Sequence, residues 1–369
     1  MSIATLEPRT EPAATPYATM KALVYRTSGQ GAGKPSWEDQ PRPTIQLPED
    51  AIIRITTTTI CGTDLHILKG DLATVTDGRI LGHEGIGVID QIGPGVSTFK
   101  VGDKVIISCV TACMKCDFCR KGMLSHCRNG GWILGNLING TQAEYVRIPY
   151  ADGSLYHLPP GSDESAMVML SDILPTGFEC GVLNGQVKPG DSVAIVGAGP
   201  VGLAVLLTAQ FYSPGAIYMI DLDDNRLATA KKFGATHTVN STDGKAIETI
   251  MKLTGGQGVD VAIEAVGMPA TFDICQGIIA AGGRLANVGV HGKPVSLQLQ
   301  KLWDRNIALT TRLVDTVTLP MLLKVVLSGK VHPAELVTHH FHLSDILKAY
   351  DTFGNAARES ALKVVLTNP

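Results

Sequence analysis

The stretch Ser192–Gly202 reads SVAIVGAGPVG and decides the fold of the second half of the chain. Its first five residues form a continuous apolar run, which is typical of a buried parallel strand. Its last six residues carry Gly197, Gly199 and Gly202 in the order Gly-x-Gly-x-x-Gly. A second apolar run then ends at Asp221, about twenty residues further on. This strand–turn–helix–strand order predicts a dinucleotide-binding unit.

Each part of this motif has a physical role in holding a dinucleotide. The first glycine allows the tight turn, the second lets the backbone approach the pyrophosphate, and the third lets the helix pack on the strand. Pro200 and Val201 begin the helix, whose free N–H groups face the phosphates. Asp221 accepts hydrogen bonds from ribose hydroxyls and repels a 2′-phosphate, which favours NAD over NADP. Arg226 either softens that repulsion, contacts the ribose or adenine, or is simply solvated.

Strands and helices alternate after this unit, which predicts a doubly wound α/β sheet. The predicted helices span residues 223–233, 245–253 and about 270–280, and the predicted strands span residues 259–264, 284–289 and 306–311.

The first half of the chain has short β-branched runs broken by Gly and Pro, a pattern that predicts an antiparallel, barrel-like β-rich domain. The predicted strands span residues 21–25, 51–56, 87–92, 104–107 and 143–148, and a helical pattern covers residues 165–185. The last segment ends in a predicted strand over residues 361–366, and we expect it to return to the first domain.

Length and composition limit the class of protein. A chain of 369 residues is long enough for two domains. The net charge of −3 and 5% aromatic content give no basis for binding nucleic acid. No membrane span or secretory signal stands out, so we expect a soluble cytoplasmic protein with small-molecule partners. Residues 1–18 have the composition of a mobile tail.

Four cysteines form the strongest metal signal in the chain: Cys113, Cys116, Cys119 and Cys127. Four thiolates at this spacing predict a closed, structural zinc site. An iron–sulfur cluster is the rival, but ferredoxin runs continue with a Cys followed by Pro, whereas Arg128 follows here. We interpret Cys109 and Cys275 as small apolar core residues.

A second set of metal-ligating side chains lies within Cys61–Gly85. Cys61 and His83 supply two ligands of the types that zinc prefers, and an open catalytic site needs a third. The residues alone leave Glu84, Asp172 and Cys180 as candidates.

With both zinc signatures upstream of a dinucleotide motif, the chain resembles the zinc-dependent medium-chain alcohol dehydrogenases over residues 20–369. The resemblance rests on Gly82-His83-Glu84-Gly85, Cys61, the four cysteines and the glycine-rich turn. It implies a β-rich GroES-like catalytic domain at residues 19–173 and 312–369, and an NAD-binding Rossmann domain at residues 174–311.

The same resemblance implies site residues. The family's third catalytic ligand precedes a Thr-Gly pair, which here makes Asp172 the ligand, with Glu84 close to the metal as an alternate. Asp at this position and Trp132 as a pocket residue match a branch that acts on secondary alcohols, although that branch often lacks the four cysteines. The family's proton relay corresponds to Thr63 and His66.

Further positions follow from the family pattern. Thr176, Val266 and Val288 match residues that line the nicotinamide, and Lys363 matches a basic residue that reaches the pyrophosphate. Arg312 departs from a Gly of the family, and it either contacts a phosphate, shapes the substrate entrance or disturbs cofactor binding. The family's assemblies suggest a homotetramer in which an edge strand near residues 285–290 pairs between subunits.

We therefore expect an NAD-dependent alcohol dehydrogenase with one catalytic and one structural zinc. It would interconvert small or medium, secondary alcohols with ketones or aldehydes. The alternatives are a polyol or threonine dehydrogenase of the same superfamily, and a zinc- and NAD-binding protein without turnover.

Overall fold

Three β-sheets organise the chain, and the computed structural model describes residues 19–28 and 31–368. The predicted tail at residues 1–18 lies outside the described residues. The strands are β1 (Thr19–Arg26), β2 (Lys34–Pro41), β3 (Ala51–Ile60), β4 (Gly85–Ile92), β5 (Lys104–Ile107), β6 (Tyr145–Ile148), β7 (Leu155–His157), β8 (Ser192–Val196), β9 (Ala216–Asp221), β10 (His237–Asn240), β11 (Val259–Glu264), β12 (Ile279–Asn287), β13 (Ala308–Thr311), β14 (Val337–His342) and β15 (Lys363–Thr367).

The α-helices are mostly short in the first part of the chain and longer in the second. They are α1 (Gly62–Lys69), α2 (Asp117–Arg120), α3 (Ala151–Ser154), α4 (Glu164–Met167), α5 (Ile173–Thr176), α6 (Pro200–Ala209), α7 (Asp224–Lys232), α8 (Ala246–Leu253), α9 (Pro269–Ile278), α10 (Leu299–Leu302), α11 (Leu319–Leu327), α12 (Ile346–Gly354) and α13 (Ala356–Glu359).

The second half forms a six-stranded parallel sheet in the order β10-β9-β8-β11-β12-β13, which confirms the doubly wound fold. Successive side chains of β8 point to opposite faces, so Val193 and Ile195 pack in one core while Ala194 and Val196 pack in another. The strand order reverses between β8 and β11. Ligands of such sheets bind in the crevice at that point.

The first half contributes a two-stranded antiparallel sheet, β1–β2, and a seven-stranded sheet in the order β14-β15-β3-β4-β5-β7, with β6 also paired to β3. The last strand of the chain, β15, lies between β14 and β3. The C-terminal segment therefore returns to the first domain, as expected. The domain boundaries themselves stay a prediction.

Two predictions about secondary structure are wrong. The helix over residues 165–185 is broken: α4 passes into a 3₁₀ turn, Asp172 leaves the helical conformation, and α5 leads into a π-helical segment over Gly177–Leu183. The strand near residues 285–290 is not an edge, because β12 pairs with β11 on one side and β13 on the other. The edge strand on that side of the sheet is β13.

Among the described residues, no single helix has the length and apolarity needed to cross a membrane. Two consecutive helical segments, Glu164–Leu170 and Ile173–Leu183, would together be long and apolar enough to cross a membrane. The pair is bent by 42° at the break between them. Most of its apolar side chains are buried in the core, including Val168, Leu170 and Phe178.

Candidate active site

A cavity of about 510 Å³ brings the two halves of the predicted site together. Its walls include the glycine-rich turn from one half of the chain and Cys61, His83 and Asp172 from the other. The crevice predicted by the strand order therefore faces the candidate metal ligands.

Cys61, His83, Glu84 and Asp172 each offer a ligand atom, and these atoms lie within 4.8 Å of one another. Cys61 sits between β3 and α1, where its backbone N–H donates to the Asp64 carboxylate at 3.0 Å. His83 and Glu84 immediately precede β4. Elements distant in sequence thus present all four side chains to one point.

Asp172 enters this cluster because the backbone breaks there, with φ of −146° and ψ of −66°. Its Oδ2 atom lies 3.3 Å from His83 Nε2 and 3.9 Å from Cys61 Sγ. Its Oδ1 atom accepts a hydrogen bond of 2.5 Å from Thr176 Oγ1. One carboxylate oxygen thus faces the other ligands while the second is tied back.

Glu84 is buried beside the cluster and pairs with Lys363, whose ammonium lies 2.5 Å from its Oε2 atom. Thr59 Oγ1 donates to the same oxygen. Burial raises the pKa of Glu84 to about 7, although the Lys363 charge acts to lower it. The Oε1 atom is buried with no hydrogen-bond partner among the described residues. The structure places Lys363 against Glu84 within the cavity wall, and a contact with a pyrophosphate stays a prediction.

The residues present fit a zinc ion. Bonds of about 2.0–2.3 Å to N, O and S ligands leave tetrahedral ligand atoms roughly 3–4 Å apart, close to the spacing of these side chains. The unpartnered oxygen of Glu84 is a further donor at the same point. A thiol, an imidazole and a carboxylate are an ordinary ligand set for catalytic zinc.

Geometry also separates the three candidates for the third ligand. Asp172 and Glu84 are in the cluster, whereas Cys180 is buried in the π-helical segment and lies outside it. Burial raises the pKa of the Cys180 thiol well above its usual value. Cys109, which we interpreted as a core thiol, contacts Oδ1 of Asp172 at 3.6 Å.

The four cysteines of the second signature also come together, with their sulfur atoms within 4.8 Å of one another. Cys113 and Cys119 donate backbone N–H groups to the sulfurs of Cys127 and Cys116. Burial raises the pKa of the Cys113 thiol, but backbone hydrogen bonds, first from Lys115, outweigh it and lower that pKa to about 6. A single tetrahedral ion fits this arrangement.

The glycine-rich turn has the close approaches that its sequence predicts. Gly197 has a φ of +109°, and a Cβ on Gly202 would lie 1.8 Å from the Gly197 carbonyl oxygen. A Cβ on Gly199 would meet only Arg226 Nη1, at 3.9 Å, so this point of the turn is open. Pro200 and Val201 begin α6, and both line the cavity.

Asp221 ends β9 at the same cavity. Its two oxygens accept backbone N–H groups of Ala198, at 2.6 Å, and Asp223, at 2.9 Å. These bonds fix the carboxylate beside the turn. The cavity is also lined by residues predicted from the family pattern: Arg226, Thr176, Val266 and Val288.

The predicted relay residues lie near the metal-ligand cluster. Thr63 Oγ1 is 3.7 Å from Cys61 Sγ. His66 Nδ1 is 2.8 Å from Asp71 Oδ2, and the imidazole is partly exposed. Trp132 stands edge-on to His83, with ring centroids 6.4 Å apart.

Sequence reasoning missed Asp71 and Cys109. Asp71 follows His66 by five residues, just after the end of α1, and this proximity of a carboxylate to an imidazole was available as a signal. Cys109 meets Asp172 from 63 residues away, and no spacing in the sequence indicates that contact.

Comparison with known proteins agrees with this arrangement. The alcohol dehydrogenase GroES-like domain matches residues 47–160, and the zinc-binding dehydrogenase domain matches residues 200–326. An alcohol dehydrogenase of Cupriavidus necator is 36% identical, over 95% of this chain and 99% of its own. A probable NADP-dependent isopropanol dehydrogenase of Mycoplasma pneumoniae is 30% identical, over 84% of this chain and 90% of its own.

A solved structure is closer in sequence than either of these relatives. The apo form of zinc-dependent alcohol dehydrogenase 2 from Streptococcus pneumonia is 59% identical, covers 95% of this chain and 98% of its own, and superposes with a TM-score of 0.90. The family implies zinc and a nicotinamide cofactor. The chain belongs to the zinc-dependent medium-chain alcohol dehydrogenases.

Proposed function

We propose that this alcohol dehydrogenase transfers hydride between small or medium, secondary alcohols and NAD. The observation that carries the proposal is one cavity lined by the glycine-rich turn, by Asp221 and by the Cys61, His83 and Asp172 cluster. A cofactor on the turn and an alcohol at the cluster would meet in this space.

In this proposal Cys61, His83 and Asp172 hold the catalytic zinc, and Glu84 is an alternate ligand. Cys113, Cys116, Cys119 and Cys127 hold a second, structural zinc. When bound, zinc lowers the pKa of the alcohol hydroxyl as a Lewis acid, and the nicotinamide ring accepts the hydride.

The chain's own side chains handle the proton. Thr63 would take the hydroxyl proton, and His66, which is partly exposed, would pass it to solvent. Because Asp71 accepts a hydrogen bond from Nδ1 of His66, Nε2 is left to accept that proton. The alcohol loses a hydride from carbon and a proton from oxygen, and a ketone results.

Asp221 supports NAD over NADP. Its carboxylate is held beside the turn by two backbone N–H groups, and each oxygen keeps a lone pair for a ribose hydroxyl. A 2′-phosphate at this place would meet a fixed negative charge. The Mycoplasma pneumoniae relative is named as NADP-dependent.

Asp172 and the cavity wall support secondary alcohols as substrates. Asp172 stands where the secondary-alcohol branch carries Asp, and Trp132 and Val110 give an apolar wall for two alkyl groups. The Mycoplasma pneumoniae relative is named as an isopropanol dehydrogenase.

We further propose that the protein forms a homotetramer and is located in the cytoplasm.

NADH formation with 2-propanol, 2-butanol, ethanol, sorbitol and threonine tests the proposal, alongside metal analysis of the native chain and of Asp172→Ala. We expect turnover on the secondary alcohols with two zinc ions per chain. The variant should keep one zinc and lose activity.

Two results would contradict parts of this assignment. Preference for sorbitol or threonine would make the chain a polyol or threonine dehydrogenase. Full zinc and activity in Asp172→Ala would move the third ligand to Glu84 and remove the main support for secondary alcohols.

A further inference from the structure

A buried carboxylate, Asp315, joins the four-cysteine lobe, residues 113–127, to the wall of the cavity. Its Oδ1 atom accepts hydrogen bonds from the Ser125 backbone N–H at 2.9 Å and from Ser125 Oγ at 2.6 Å. Its Oδ2 atom accepts a hydrogen bond of 2.8 Å from Arg312 Nη2. Asp315 is 3% exposed, so its carboxylate is shielded from water.

Arg312 carries this connection into the cavity, whose wall it forms together with Leu313 and Val314. Val314 packs with Cys109 and Cys180, close to Asp172. Within the described part of the chain, the Arg312 guanidinium makes one hydrogen bond, the one to Asp315. A guanidinium has five N–H donors in a rigid fork, so it can hold Asp315 and still present donors to a ligand.

The segment that carries Asp315 is fixed from its other side by Glu179. This carboxylate is fully buried and accepts backbone N–H groups of Asp315 and Thr318, at 2.8 and 2.9 Å. Thr316 adds a hydroxyl contact of 2.8 Å to Ser108. Because the backbone at Asp315 is held in this way, the carboxylate has a defined direction.

Ser125 is fixed by the lobe itself. It lies in a 3₁₀ turn, Leu124–His126, directly before Cys127. Because Cys127 is one of the four clustered cysteines, the position of this turn depends on how the four sulfur atoms are held together. The chain of contacts therefore runs from the four-cysteine lobe through Ser125 and Asp315 to Arg312.

We propose that Arg312 binds the anionic nicotinamide cofactor and that Ser125 and Asp315 are positioning residues that hold Arg312 for this contact. The four-cysteine lobe then helps to set cofactor affinity as well as stability. Of the ligands in the proposed function, on which this inference rests, only the cofactor is anionic, and guanidinium groups suit its phosphates. Of the other cations of the cavity, Lys363 is paired with Glu84 and Arg226 lies beside Gly199 of the glycine-rich turn.

The test is a fluorescence titration of the zinc-loaded protein with NADH and with NADPH, followed with whichever the native chain binds more tightly. This choice separates the inference from the proposed preference for NAD. We expect Arg312→Ala to raise the Kd about tenfold, as for a lost charge-assisted hydrogen bond. Ser125→Ala and Asp315→Asn should raise it about threefold to tenfold, and Ser125→Thr, which keeps the hydroxyl, should restore native affinity.

A double-mutant cycle distinguishes positioning from a general structural role. In the Arg312→Ala background, Ser125→Ala should cause no further loss of affinity. The inference is overturned if Arg312→Ala leaves the Kd unchanged, or if Ser125→Ala weakens binding by the same factor in both backgrounds. Arg128→Ala is the matched control. Arg128 directly follows the lobe and makes an exposed pair with Asp117, so its loss should leave the Kd unchanged.

Discussion

The two carboxylate oxygens of Asp172 have different partners, and the hydrogen bond from Thr176 fixes which oxygen faces the metal-ligand cluster. Oδ1 accepts the Thr176 hydroxyl, while Oδ2 lies beside His83 and Cys61. Hydrogen bonds of this kind orient a metal ligand and raise metal affinity, and their loss typically costs about 10–100-fold.

Thr176→Val should therefore weaken zinc binding at the catalytic cluster about tenfold. The substitution conserves shape and removes the hydroxyl, so the carboxylate loses its fixed orientation. Competition with a chromophoric chelator measures the zinc Kd. Thr176→Ser keeps the donor and is the control, and equal affinity in the Val variant would show that Asp172 needs no support from Thr176.

Asp221→Asn tests cofactor choice at a single residue. Removing the negative charge should weaken NADH binding several-fold and strengthen NADPH binding, because the 2′-phosphate no longer faces a carboxylate. The ratio of the two Kd values is the measurement. Asp224→Asn, at an exposed carboxylate of the following helix, should leave that ratio unchanged. An unchanged ratio in Asp221→Asn would place the discrimination elsewhere.

At the scale of elements, Glu164 joins α4 to two strands. Its carboxylate accepts the hydroxyls of Thr56 and Thr57 from β3, at 2.7 and 2.6 Å, and pairs with the Lys104 ammonium of β5. Burial raises the pKa of Glu164, but the bonds to Lys104 and the two threonines outweigh it and lower the pKa below its usual value.

Glu164→Gln should lower the free energy of unfolding by about 1–2 kcal/mol near neutral pH. A depressed folded pKa stabilises the protein above the unfolded pKa of about 4.3, and this contribution is lost as the pH falls through the folded value. The difference between the variants should therefore shrink below about pH 4. Urea unfolding over this range is the measurement. Glu49→Gln, at an exposed pair with Lys115, should show little difference at any pH.

Local signals in the sequence predicted some secondary-structure elements correctly and missed others. The bounds of β8 and β11 were predicted correctly, because a continuous apolar run limited by turn residues indicates a buried strand. β2 was missed, since its polar residues pair only with β1. The break at Asp172 was missed as well, because it is stabilised by contacts with residues far away in the chain.

The candidate site also has one part that local sequence signals predict and one part that depends on contacts between distant residues. The spacing of the four cysteines predicts their cluster locally, and their sulfur atoms do meet. The choice of Asp172 over Cys180 came from resemblance, since both lie on one apparent helix in the sequence. Which face of that segment meets His83 depends on packing between the two sheets.

At the scale of the whole molecule, the five residues of β15 complete the first domain. Val365 is fully buried, and it pairs with Thr59 of β3 on one side and His340 of β14 on the other. Val365→Asp should destabilise the protein by about 4 kcal/mol or more, because an unpaired charge enters the core.

The yield of folded protein and its thermal midpoint measure this effect. Thr367→Asp, at the half-buried end of the same strand, should be tolerated much better. Equal loss in both variants would mean that any charge in β15 is disruptive, whatever its burial.

The position of β15 in the chain also means that β3 is synthesised long before its partner strand. Lys363 bonds to the Ile60 carbonyl across 303 residues, and ribosomes add about 5–20 residues per second. Roughly 15–60 s therefore pass between the synthesis of Ile60 and that of its partner. Throughout this interval the nascent chain carries β3 with one edge unpaired and Glu84 without its ammonium partner. Cys61 and His83, the proposed metal ligands, are made early, but the sheet beside them is complete only when β15 has left the ribosome. We therefore expect metal loading to follow the synthesis of β15.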